Sequence, residues 1–114
     1  MNEALLDEEL LSGYLESLGE NIVKQMIELY TQQSEIYLSD INEAVKGQSQ
    51  ELWQEHCHKM KGAAGSVGLT KLHGHLVNVE KSEEASEKKL IMLAELYQQN
   101  NLAISAFNQW LNAE

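Results

Sequence analysis

The chain has 114 residues, enough for one domain with one modest core. A formal charge of −10 argues against a nucleic-acid partner, which would need a basic face. No apolar run is long enough to cross or directly engage a membrane, and the first ten residues lack the basic and apolar regions of a signal peptide.

With proline absent, nothing breaks a succession of helices. The lone Cys57 excludes an internal disulfide and fits a reducing, cytoplasmic setting. No window reads as a linker, so residues 1–114 are expected to form one all-helical domain.

Asp7 predicts the N-cap of a short first helix carrying Leu10, Leu11, Tyr14, Leu15 and Leu18, closed by Gly19. A long helix follows from about Asn21 to Lys46. Val23, Met26, Ile27, Tyr30, Ser34, Tyr37, Leu38, Ile41 and Val45 form its inward stripe, and Gly47 stops it. Ser49 caps a third helix ending near Gly68, and Thr70 is the expected cap of a fourth with Leu72, Leu76 and Val79 inward. After the charged run Lys81–Glu84, Ser86 is the expected cap of a last helix showing Leu90, Leu93, Ala94, Tyr97, Ile104, Phe107 and Leu111. Asn100 and Asn101 are expected to kink or fray it. Four amphipathic helices with short connections predict an antiparallel up-down-up-down four-helix bundle, the short N-terminal helix lying across one end.

The third helix carries the chemistry. At about 100° per residue, Trp53, Cys57, Met60, Ala64 and Val67 share one side, while His58, Gly62 and Gly65 fall on roughly the other, with Lys61 at its shoulder. Two glycines in a helix each cost about 0.8–1 kcal/mol relative to alanine. Here they predict bare backbone beside an exposed imidazole, where another molecule can approach closely. No acidic residue occurs between Glu55 and Glu80, whereas Lys59, Lys61 and Lys71 do, which predicts a local patch suited to an anion. A neutral imidazole nitrogen is a competent nucleophile at physiological pH.

His58-Lys59-Met60-Lys61-Gly62, with Ala63-Ala64-Gly65-Ser66-Val67-Gly68-Leu69 following, resembles the H-x-x-K-G…G signature of histidine-containing phosphotransfer (HPt) domains. It is similar to the modules that end hybrid sensor histidine kinases of the ArcB or TorS type. The resemblance implies the same bundle. It also implies a phosphocarrier rather than an enzyme, taking a phosphoryl group on His58 from a receiver-domain aspartate and passing it to another. Lys61 would stabilise the phosphate, and the response-regulator receiver would dock on Gly62, Gly65, Ser66, Leu69 and Lys59. No cofactor or metal of its own is implied, because the receiver brings a divalent ion and acidic cluster.

The ordinary readings are solvated side chains for Lys59 and Lys61 and a core thiol for Cys57. His56, His73 and His75 lack the i,i+4 spacing of a helical zinc site. Two rival functions stand beside the phosphocarrier. One is the dimerisation and phosphoacceptor domain of a histidine kinase, in which an acidic residue usually follows the histidine; here Lys59 does, and four helices in one chain suggest a monomer. The other is a structural adaptor bundle with His58 incidental.

Overall fold

A computed structural model describes residues 4–113. Its helices are α1 (Glu8–Leu18), α2 (Glu20–Lys46), α3 (Gln50–Ser66), α4 (Thr70–Glu80) and α5 (Ser86–Ala113). Helix α2 packs against α3 and α5, α3 against α4, and α4 against α5, closing a four-helix ring. Three short connections make successive helices antiparallel. Their inward stripes merge into one core whose largest fully buried side chains include Trp53, Phe107, Leu11, Ile27, Ile41 and Met60.

Helix α1 crosses the end where α3 turns into α4. The Asp7 carboxylate accepts from the Leu10 backbone N–H at 3.1 Å, making the expected cap. The Asp7 backbone N–H donates to the Gly68 carbonyl at 2.8 Å, and the Tyr14 hydroxyl donates to the Ser66 carbonyl at 3.0 Å. Gly68 takes φ +72°, and a Cβ there would stand 3.0 Å from the Leu11 side chain. Both the backbone turn and the close seat of α1 therefore require glycine.

Two expected caps move by one position. Leu69, not Thr70, occupies the N-cap of α4, and the Thr70 hydroxyl makes only a 3.5 Å contact with the Gly68 carbonyl. Ser86 is the first residue of α5 rather than its cap. The inward face of α5 also differs. Leu90, Ala94 and Tyr97 are exposed, whereas Lys89, Leu93, Leu96, Asn100, Ala103, Phe107 and Leu111 are buried.

That face includes two polar side chains, so following apolar residues alone rotates it wrongly. Asn100 does not break α5. The Tyr30 hydroxyl donates to Asn100 Oδ1 at 2.8 Å, and Asn100 Nδ2 donates to Ser34 Oγ at 2.9 Å. Paired across the core, these groups tie α5 to α2, and desolvation costs them no hydrogen bond.

Candidate functional site

Ser49 Oγ accepts from the Leu52 N–H at 3.1 Å and starts α3 cleanly. Trp53, Cys57, Met60 and Ala64 are all fully buried, and this fixes the rotation of the helix. His58 is consequently turned outward, its side chain 69% exposed. Gly62 lies one turn further along, exposed, with open space where a Cβ would stand. Lys61 leans toward α4 and is half-buried.

The same buried face also places a group from another helix. Trp53 Nε1 donates to the Val79 carbonyl at 3.0 Å, pinning the last turn of α4 to α3. The next residue, Glu80, then reaches the site: its Oε1 lies 3.2 Å from His58 Nδ1 and 3.0 Å from Lys61 Nζ. The patch that is free of carboxylates in sequence is thus not free of them in space. A carboxylate only accepts, so Nδ1 must donate. The neutral ring then carries its lone pair on Nε2.

Burial alone would push the Glu80 carboxyl upward, but hydrogen bonds from Lys61 and His58, aided by their charges, hold it below its ordinary value. A folded value below the unfolded one, about 4.3, makes the stabilisation from this cluster complete above that pH. It is lost as pH falls through the folded value. By contrast, burial first and the Glu80 charge second push the Cys57 thiol up to about 12, against a smaller opposing effect of Lys89. Cys57 is a packed hydrophobe with no thiolate character near neutrality.

The other site candidates separate. Lys59 and Ser66 are exposed on α3, although the Ser66 hydroxyl already donates to the Ala63 carbonyl at 2.8 Å. Leu69 is fully buried at the α3–α4 turn and cannot dock a partner; its place in the motif is structural. Gly65 is not bare backbone either. A Cβ there would lie 3.0 Å from His73 Cδ2, so this glycine lets α4 approach α3.

The two glycines should therefore respond oppositely to alanine. Gly62→Ala is expected to raise stability by up to about 1 kcal/mol. Gly65→Ala should gain less or lose, because His73 must move. Urea midpoints compared at equal slope check this.

An exposed imidazole with a free Nε2, a neighbouring ammonium and an unobstructed glycine one turn away can accept an electrophilic group delivered by a second protein. The family model of the Hpt domain matches residues 25–109. The chain belongs to the Hpt domain family.

Among curated relatives, the aerobic respiration control sensor protein ArcB of Escherichia coli (strain K12) is 37% identical over 71 residues. That match covers 62% of this chain and 9% of the relative. ArcB of Shigella flexneri matches with the same identity and coverage. The chain thus corresponds to only a small part of these sensor proteins. Among solved structures, the histidine-containing phosphotransfer domain of ArcB from Escherichia coli superposes with a TM-score of 0.83. The superposition covers 96% of this chain and 94% of that one at 23% identity, a likeness of fold. The protein is a phosphotransfer module of the two-component phosphorelay type rather than a classical enzyme. No helix among the described residues is long and apolar enough to cross a membrane.

Proposed function

We propose that His58 is the phosphoacceptor, exchanging a phosphoryl group reversibly with aspartates of response-regulator receiver domains. The observation that carries this is the outward imidazole hydrogen-bonded through Nδ1, which leaves Nε2 free beside an open glycine. Nε2 attacks the phosphorus of an aspartyl phosphate, the N–P bond forms, and the acyl oxygen departs with its electron pair as the aspartate carboxylate. In-line geometry and charge neutralisation supply most of the catalysis in such a transfer, and the receiver's divalent metal serves the second of these.

The receiver docks over the exposed face of α3 at Gly62, Ser66 and Lys59. Next to that face, Tyr14, Met26, Leu29, Tyr37, Ala63 and Val67 line an apolar groove between α1, α2 and α3. Exposed Leu29 stands at its edge, 59% accessible, and gives the partner an apolar foothold. The module works as a monomer in the cytoplasm, with no nucleotide site of its own.

ATP alone should therefore label nothing, whereas a receiver domain charged with acetyl phosphate should transfer label without ATP. Lys61→Ala should slow uptake by about tenfold without abolishing it, since one charged contact is lost and the nucleophile remains. Loss of all uptake would make Lys61 indispensable, and no change would leave it a solvated side chain. Sedimentation velocity should show a single monomeric species; a stable two-fold dimer would favour a kinase dimerisation domain instead.

A further inference from the structure

Three histidines stand next to a carboxylate from another helix, and the three pairs differ. His58 Nδ1 and Glu80 Oε1 are hydrogen-bonded at 3.2 Å, with Lys61 completing that cluster. His56 Nδ1 and Asp40 Oδ2 are 4.0 Å apart. His75 Nε2, on α4, lies 3.5 Å from Glu95 Oε2, on α5, yet is buried and makes no hydrogen bond.

A buried polar atom without a partner needs an explanation, and this one has a companion. Gln99 Oε1 is also buried and unpartnered. His75 and Gln99 line the same groove of about 550 Å³ along α4 and α5. Glu95 and Gln99 are four residues apart, so α5 presents both on one face. With the ring neutral, an imidazole lone pair, a carboxylate oxygen and an amide oxygen meet here, and none of the three donates. That is a ligand set for a cation.

The spacing and donor types select the cation. Zinc binds imidazole nitrogen and carboxylate oxygen at about 2.0–2.2 Å in tetrahedral geometry. On bonds of that length, the 3.5 Å between His75 and Glu95 corresponds to about 115° at the metal. The 4.0 Å of His56 and Asp40 would open the angle to about 150°, and Glu80 is already engaged by Lys61. Magnesium prefers an all-oxygen octahedral shell, which an imidazole does not supply.

We propose that His75, Glu95 and Gln99 form a zinc site that clamps α4 to α5, with water completing the coordination. Among the described residues no three His, Cys, Asp or Glu side chains converge, so the third protein donor is an amide and the zinc is exchangeable. Lys71 also lines the groove, one turn before His75, and its flexible stem lets the ammonium swing to solvent as the ion enters. Spacing within α4 offers no second ligand to His75; α5 supplies it.

Metal-free protein titrated with zinc chloride, and followed by imidazole NMR, calorimetry and melting, tests this. One equivalent should bind, moving the His75 ring resonances before those of His56, His58 and His73. Saturating zinc should raise the melting midpoint by about 5–10 °C, and magnesium at the same concentration should not. Affinity should fall about a hundredfold in His75→Gln and about tenfold in Glu95→Gln, with a smaller loss in Gln99→Leu. Should His75→Gln fail to fold, Glu95→Gln, at a position 54% exposed, gives the same readout. Four imidazoles that respond alike, or a zinc-induced rise that persists in both His75→Gln and Glu95→Gln, would overturn the site. An equal rise with magnesium would also overturn it, by showing that any divalent ion relieves the charge of this acidic chain.

Discussion

Replacing His58 with glutamine should abolish phosphoryl uptake and leave the bundle standing. The side chain is 69% exposed and its polar partner beyond its helix is Glu80, which keeps Lys61 as a partner in its absence. Substitutions at such positions usually change stability by no more than about 0.5 kcal/mol. Melting temperature and helix content should match wild type while label falls to background. A variant that unfolds would mean His58 carries structure. Residual labelling near the wild-type rate would mean the acceptor lies elsewhere, with His56, His73 and His75 the remaining imidazoles.

Trp53→Ala should have the largest effect on stability, about 3–5 kcal/mol. Trp53 is fully buried, its Nε1 donates to the Val79 carbonyl at 3.0 Å, and the Lys89 ammonium lies 5.1 Å from its ring centroid. Alanine leaves a cavity and a largely buried ammonium whose remaining partner is Gln50, and removes the bond that ties the Val79 carbonyl to α3. The effect should also reach the site. The Trp53–Val79 bond fixes the last turn of α4, so Glu80 loses its register beside His58, and phosphoryl uptake on His58 should slow in step. Denaturant melts report the first effect. Trp53→Phe, which fills most of the volume without the N–H donor, separates packing from positioning. It should recover most of the stability and less of the uptake rate.

The fold was legible wherever a helix shows a purely apolar face and a clear stop. Helix α3 is of this kind and α2 nearly so, Ser34 being the polar residue in its stripe, and Gly19, Gly47 and Ser49 act where the pattern places them. Helix α5 was misread because Lys89 and Asn100 sit inward, held by Gln50 and Trp53 in one case and by Tyr30 and Ser34 in the other. No local pattern announces a polar group whose partners lie on other helices.

The same reason explains the site. His58, Lys61 and Gly62 share one helix face and can be read from spacing. Glu80 belongs to another helix, and Gly65 meets its neighbour, His73, only when α4 folds back. A signal did exist: His58 lies eleven residues before Leu69 and Glu80 eleven after it, so folding the α3–α4 hairpin at that turn brings them level. Leu69 was misplaced for the opposite reason, being in the motif yet serving the turn.

The most direct test of the phosphocarrier account is to map the label on the wild-type protein. Incubated with a receiver domain carrying an aspartyl phosphate, and no ATP, it should gain one phosphoryl group that is labile in acid and stable in alkali. Mass spectrometry of alkaline digests should place that group on His58, with none on His56, His73 or His75. Label spread over several histidines, or an acid-stable bond on a serine or threonine, would contradict it.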